Sequence, residues 1–103
     1  MKEYEICEGP IVITVVVEGD ASRIQVIDPD NAETPALFPT DLSLLAGVAN
    51  GYSYQVGFSN ESLTMSLENE IVSMRFIGKD RAAKTCRVER DQFEQKVNAI
   101  SLI

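Results

Sequence analysis

Alternation of apolar and polar side chains is the strongest pattern in this chain, and it is clearest between residues 52 and 77. Apolar residues hold every second position in three runs, 52–58, 63–67 and 72–76, which is the period of strands with one buried face. Short polar turns separate the runs at nearly the spacing of hairpins. The pattern therefore predicts a three-stranded antiparallel meander.

The first 27 residues also carry strand patterns. Residues 4–6 predict a short opening strand that ends before Gly9-Pro10. The β-branched run 11–17 predicts a strand buried on both faces. Residues 23–27 alternate again after a polar turn, so they are expected to complete a hairpin with that run.

Four other segments complete the predicted fold. Three prolines between residues 28 and 40 predict a long loop, because proline cannot donate to a ladder and disfavours helix before it. Helical spacing predicts a short helix over 41–49, with an apolar stripe of Leu42, Leu45, Ala46 and Ala49, and a closing helix over 90–100, with a stripe of Phe93, Val97 and Ile100. Residues 85–88 predict one more strand. We therefore predict a single α+β domain over residues 1–103, in which one antiparallel sheet of about five to six strands carries a short middle helix and a C-terminal helix packed on the sheet.

Charge is distributed unevenly along the chain. The 103 residues include 16 acidic and 9 basic side chains, for a net charge of −7. Only Lys2 and Arg23 oppose twelve carboxylates in residues 1–74, whereas residues 75–103 carry seven basic groups against four acids. A large field of one sign attracts partners of the opposite sign.

The inventory of reactive side chains argues against catalysis. The chain has no histidine, which removes the commonest general base and the usual activator of serine or cysteine nucleophiles. Its six glycines do not have the spacing of phosphate-binding loops. Asp28-Pro29-Asp30 resembles the start of a calcium loop, but Glu33 stands where that loop requires glycine, so we favour an Asx-type turn. We predict a protein that is not an enzyme and has no metal site and no cofactor.

The two cysteines and the N-terminus bear on the compartment. Cys7 and Cys86 are too few for a disulfide framework, and we expect reduced thiols, although a bridge in an oxidising compartment stays open. Glu3 and Glu5 lie where a secretory signal would carry basic residues. The longest apolar run is also far shorter than a membrane span. The predicted location is the cytoplasm.

Two binding hypotheses follow from the charge pattern. In the first, the protein is a bacterial immunity or inhibitor protein, as in toxin–antitoxin pairs, whose acidic surface neutralises a basic toxin or nuclease. Its candidate contacts are the acidic residues Glu18, Asp20, Asp28, Asp30, Glu33, Glu61, Glu68 and Glu70, with Leu37 and Phe38 as apolar anchors. The simpler alternatives are that the acidity only maintains solubility and that Leu37 and Phe38 fold back over the core.

In the second hypothesis, basic C-terminal strands bind single-stranded nucleic acid, with Tyr52 and Tyr54 as stacking platforms. The last 30 or so residues, from Val72-Ser73-Met74-Arg75-Phe76 through Cys86-Arg87-Val88 to the Phe93 helix, resemble those of PC4-like and Whirly-type single-strand binders. The candidate contacts are Arg75, Lys79, Arg81, Lys84, Arg87 and Arg90. The net charge of −7 opposes this function, and the same groups could instead pair with acids across the meander. An exposed edge strand also leaves a homodimer open.

Overall fold

Two four-stranded antiparallel sheets and two α-helices make up the part of the chain that the computed structural model describes, residues 1–31, 35–58 and 60–101. Strands follow one another in chain order within each sheet. The first sheet contains β1 (Lys2–Glu8), β2 (Val12–Glu18), β3 (Ala21–Ile27) and β4 (Ala36–Thr40), and α1 (Leu42–Val48) follows it. The second contains β5 (Tyr54–Phe58), β6 (Glu61–Glu68), β7 (Ile71–Ile77) and β8 (Ala83–Glu89), and α2 (Arg90–Ser101) follows it.

The α+β class and the predicted meander are confirmed, but the prediction of one sheet is wrong. The meander forms β5, β6 and β7, while the first four strands form a sheet of their own. Alternation specifies which side of each strand is buried, not which strands pair. Here α1 stands between β4 and β5, and no ladder joins those two strands.

The core lies between the two sheets. In the first sheet, Val15, Ile24 and Phe38 stand opposite one another in register and point inward. Phe38 meets Phe76 of the second sheet edge to face, with ring centroids 6.5 Å apart. Phe38 is only 1% exposed. It is therefore a core residue, and its prediction as a partner-binding anchor was wrong.

The segment predicted as a long loop contains a strand. Pro29–Asn31 form a single 3₁₀ turn, and β4 then pairs with β3 in antiparallel register. Pro39 is accommodated because β4 is an edge strand of its sheet. Ala36 and Phe38 face the core, while Leu37 and Pro39 face outward.

Both predicted helices are present. The side chain of Asp41 caps α1 by accepting a hydrogen bond from the Ser43 backbone N–H at 2.9 Å. In α2 the predicted stripe Phe93, Val97 and Ile100 is buried. This helix packs against β1, β7, β8 and α1, so it covers the place where the two sheets meet at their β1 and β8 edges.

A disulfide between Cys7 and Cys86 joins β1 to β8, with the two Cα atoms 6.4 Å apart. The expectation of two reduced thiols was therefore wrong. A bulge between Glu5 and Cys7 shifts the register of β1, so that both Ile6 and Cys7 are buried. That irregularity turns Cys7 toward Cys86, and alternation alone could not reveal it. We call the junction of these two edges the β1–β8 seam.

A substitution at Gly57 would test how closely β5 packs against β6. Its φ is +136°, and an added Cβ would lie 2.3 Å from the Glu61 carbonyl oxygen. We expect Gly57→Ala to lower the free energy of unfolding by at least about 2 kcal/mol. Gly47→Ala is the matched control. Gly47 lies within α1, and its new Cβ would be at an ordinary contact distance of 3.5 Å from the Tyr52 ring, so the better helix propensity of alanine should raise the free energy of unfolding by about 0.5 kcal/mol. Urea denaturation measures the stability of both variants, and equal changes would contradict the positive φ and the close contact described for Gly57.

Removing the disulfide should cost more than a typical core substitution. The bond closes a loop with a sequence separation of 79, for which loop entropy predicts about 4 kcal/mol of stabilisation. Cys7→Ala, Cys86→Ala and the double variant should lose similar stability, because each removes the same bond. Reducing the disulfide of the wild type should lower the midpoint urea concentration by nearly the same amount. An unchanged midpoint after complete reduction would refute the prediction.

Candidate protein-binding surface

The acidic residues predicted to bind a partner lie at two opposite ends of the molecule. Ser22 stands opposite Thr40 in register, and the hydroxyls of Thr40 and Tyr54 are hydrogen-bonded at 2.8 Å, so the β2–β3 turn and the start of β5 share one end. Arg90 joins this end to the β6–β7 turn, because its backbone N–H donates to the Glu70 carbonyl at 2.9 Å. We call it the helix end. The β3–β4 connection and the β7–β8 turn meet at the opposite end, which we call the cleft end.

The predicted set is therefore divided. Glu18, Asp20, Glu68 and Glu70 lie at the helix end, and Asp28, Asp30 and Glu61 lie at the cleft end. Leu37 is on the outer face of the first sheet and is 49% exposed. Glu33 lies outside the described residues.

At the cleft end, two of the predicted acids hold a lysine. Lys84 Nζ donates to Asp28 Oδ1 at 2.5 Å and to Asp30 Oδ2 at 2.6 Å. The Asp30 backbone N–H also donates to Asp28 Oδ1 at 3.0 Å, which confirms the Asx turn. Asp28 is only 6% exposed. The prediction that Asp28 contacts a partner was therefore wrong, because its carboxylate is buried and accepts a hydrogen bond from Lys84.

The adjoining cleft is too small to be a ligand site. It has a volume of about 60 Å³ and is lined by Asp28, Glu61, Phe76 and Lys79 among others, whereas ligand pockets are typically about 300 Å³ or larger. Among the described residues, no group of three acidic or cysteine side chains is placed as a set of metal ligands.

Hydrogen bonds from the Lys84 ammonium to Asp28 and then Asp30 raise the pKa of Lys84 above its ordinary value. A group whose pKa is higher in the folded state contributes its full stabilisation below its unfolded pKa and loses it as the pH rises through the folded pKa. Part of the stability should therefore disappear only above the ordinary lysine pKa of 10.5.

We expect Lys84→Gln to lower the urea midpoint at neutral pH, because it removes the ion pair that Lys84 forms with the buried Asp28 carboxylate. The variant should also lose less stability than wild type as the pH rises above the ordinary lysine pKa of 10.5. Lys79→Gln is the matched control, since Lys79 is exposed in the β7–β8 turn. Burial raises the pKa of Tyr54 and adds an alkaline loss common to all three proteins. Indistinguishable midpoints for the two variants would contradict this role of Lys84.

At the helix end, two large apolar side chains are exposed together. Leu44 of α1 is 59% exposed and Tyr52 is 71% exposed. The Tyr52 ring lies against Gly47, within 3.5 Å of where a Cβ would stand. Leu44 and Gly47 are three residues apart and so share one side of the helix. We call this pair the Leu44–Tyr52 platform.

Sequence reasoning missed the platform, although a signal for it exists. The predicted helical stripe contained Leu45, which is fully buried, and this stripe leaves Leu44 on the solvent side. Tyr52 was assigned to the meander, but β5 begins at Tyr54. The Asn50-Gly51 turn instead folds Tyr52 back on α1, where its backbone N–H donates to the Gly47 carbonyl at 3.1 Å.

Carboxylates surround the platform at both ends of α1. Asp41 caps the helix, and hydrogen bonds from Ser43 lower the pKa of Asp41, which keeps it ionised. Two acids of this end are in exposed ion pairs, Glu18 with Arg23 at 2.9 Å and Glu70 with Arg90 at 3.3 Å. Asp20, Glu68, Glu89 and Asp91 also lie at this end, and the described residues provide no ion pair for them. Lys2, which stands opposite Val17 beside the β2–β3 turn, is a cation of the same end. This end is therefore net negative.

The basic residues of the second hypothesis do not form one surface. Arg90 is tied to the Ala49 carbonyl at 2.8 Å, and Lys84 is held by Asp28. Arg75 and Arg87 point outward from the second sheet, while Lys79 and Arg81 belong to the β7–β8 turn.

The two proposed stacking rings are also separated from these groups. Tyr54 is 5% exposed and bonded to Thr40, so it cannot stack on a base. Tyr52 is exposed, but it lies at the helix end, away from the turn that carries Lys79 and Arg81.

No helix of the described residues is long and apolar enough to cross a membrane. No protein family matches the chain, and neither a curated protein nor a solved structure shows significant similarity to it.

Proposed function

We propose that this protein is a non-enzymatic module that binds a basic site on another protein, with the Leu44–Tyr52 platform at the centre of the interface. One observation carries the proposal. Apart from the terminal Met1, Tyr52 and Leu44 are the most exposed large apolar side chains of the described residues, and they lie together at the acidic helix end. Exposed apolar side chains scattered singly need no explanation, but an apolar pair inside a charged rim is typical of an interface.

The two kinds of side chain have different tasks in this arrangement. Tyrosine is enriched among residues that dominate binding energy, because its ring buries a large area with few rotatable bonds. The carboxylates at the rim attract a cationic partner and accelerate encounter. Helix α1 is seven residues long, or about 10 Å. An interface of about 800 Å² per partner therefore spans the acids at both of its ends.

The partner class that fits best is a toxin or nuclease neutralised by an immunity or inhibitor protein. A nuclease must present Lys and Arg to hold phosphates, and surface carboxylates compete for the same groups. The acidic helix end supports a cationic partner. The absence of histidine from the sequence supports a binding role over a catalytic one.

We infer that the protein acts in an oxidising compartment. A buried disulfide between distant strands is rare in a cytosolic protein, so it argues against the cytoplasmic location expected from the sequence. The bond therefore supports a compartment outside the reducing cytoplasm. Isolating the protein from its host with thiols blocked at lysis tests this inference, since a fully reduced native pool would refute it.

Affinity capture from the native host tests the platform. We expect the wild type to retain a basic protein and the Leu44→Ala/Tyr52→Ala variant to lose most of it, because the apolar centre of the interface is removed. Leu37→Ala is the matched control, as Leu37 is an exposed leucine on the outer face of the first sheet. Equal capture by all three proteins would place the interface elsewhere.

The charges can be tested separately once that partner is purified. Asp20→Lys/Glu68→Lys should slow association about tenfold or more at low salt and reduce its salt dependence, with a smaller effect on dissociation. The platform variant should instead speed dissociation. Association that is insensitive to both salt and charge reversal would contradict the proposal.

Single-stranded nucleic-acid binding is the second candidate, and the observation that favours it is the exposure of Arg75 and Arg87 without an ion pair among the described residues. Retention on heparin and single-stranded DNA separates the two candidates. An acidic protein binder should pass through both columns at about 0.15 M salt, whereas a nucleic-acid binder should be held and then released by salt.

A further inference from the structure

The β1–β8 seam carries an open groove of about 380 Å³ that the proposed function does not use. Two of its carboxylates, Glu5 and Glu8, belong to β1, and its two cations belong to β8 (Arg87) and α2 (Lys96). We call these two groups its acidic wall and its basic wall. The apolar side chains of Ile71 and Val88 also line it. Glu89 and Gln92 are its remaining polar side chains.

The charges of the two walls form no ion pairs with each other within one chain. Glu5, Glu8 and Arg87 are exposed and Lys96 is half-buried, and none of the four has an ion pair among the described residues. The two strands are neighbours, because Cys7 and Cys86 are bonded. An acidic wall and a basic wall therefore stand side by side with their charges facing solvent.

We propose that this groove is the interface of a two-fold symmetric homodimer, in which the acidic wall of each copy meets the basic wall of the other. A two-fold axis along the seam exchanges the two walls, so every pair formed once is formed twice. Glu5 and Glu8 of one copy then face Arg87 and Lys96 of the second copy. Arginine provides the bidentate geometry that suits a carboxylate.

Charge complementarity favours a second copy over other occupants. A uniformly basic partner would meet Arg87 and Lys96, and a uniformly acidic one would meet three carboxylates, Glu5, Glu8 and Glu89. A small zwitterion would be left largely in solvent, since the groove is open and ligand sites usually bury most of the ligand. A surface with the same pair of walls satisfies both sides, and a second copy of the chain provides one.

The fold supplies two further reasons for an occupant here. Strands β1 and β8 are edge strands, and no ladder joins them across the seam. Edge strands are prone to associate unless they are covered, and the groove shows that α2 leaves part of this seam open. The disulfide also fixes the spacing of the two walls before association, which lowers the conformational cost of binding.

Sedimentation equilibrium of the full chain, from about 10 to about 500 µM, tests the proposal. We expect a monomer–dimer equilibrium whose dissociation constant rises about tenfold between about 50 and about 500 mM NaCl, because screening weakens the pairs. Species larger than a dimer should not form, since a two-fold interface closes on itself. A monomer throughout this range at low salt would overturn the proposal.

A charge swap gives the decisive comparison. Glu5→Arg and Arg87→Glu should each weaken the dimer at least about tenfold, because each change is present twice in the interface and creates repulsion. The two substitutions in one chain should restore the dimer to within about threefold of wild type. Asp20→Arg and Lys79→Glu, which make the same charge changes at exposed turns, are the controls and should leave dimerisation unchanged.

Two outcomes of the swap would overturn the inference. If the double variant is as weak as the single variants, the two walls do not meet; if the controls weaken the dimer equally, net charge alone governs association. Circular dichroism of each variant confirms that it is folded. The assay contains no other protein, so its failure leaves the proposed platform interface untouched, and failure of the platform leaves the dimer intact.

Discussion

Burial of the two inner sheet faces against each other is the constraint on which the rest of the molecule depends. The shortest extent of the fold is 22 Å, which is the thickness of two sheets about 10 Å apart with their outer side chains. A shift of one residue in a strand with one buried face, such as β7, would place its core side chains in solvent. Phe38 and Phe76 show how tightly this is fixed, because their edge-to-face contact requires both strands to be in the observed register.

The two sheets are held together at their edges by contacts other than ladder hydrogen bonds. At the β1–β8 seam the link is the Cys7–Cys86 bond together with α2, and on the other side it includes the Thr40–Tyr54 hydrogen bond. The backbone groups along these edges are thus left without strand partners. Sites of interaction are expected where pairing stops, and the groove beside the disulfide is one of them.

Local features of the fold could be predicted from the sequence, and long-range ones could not. The period of two in residues 52–77 and the period of 3.6 in residues 90–100 each depend only on near neighbours, and both elements are present. By contrast, the sequence predicts Asp28 to be a loop carboxylate, and its hydrogen bond with Lys84, 56 residues later, depends on the tertiary fold. Prolines at three positions likewise concealed β4, since their tolerance depends on β4 being an edge strand.

The charge asymmetry of the sequence has a different meaning once the chain is folded. The basic C-terminal segment packs against the acidic N-terminal part, where Lys84 meets Asp28 and Asp30, and Arg90 meets Glu70. These three carboxylates are therefore paired within the chain, and the pairs of Lys84 with Asp28 and Asp30 join the two sheets. Carboxylates that have no ion pair among the described residues include several at the helix end and two on β1, where Glu5 and Glu8 share the seam groove with Arg87 and Lys96. Position in the fold, more than net charge, therefore decides where a cationic group can bind.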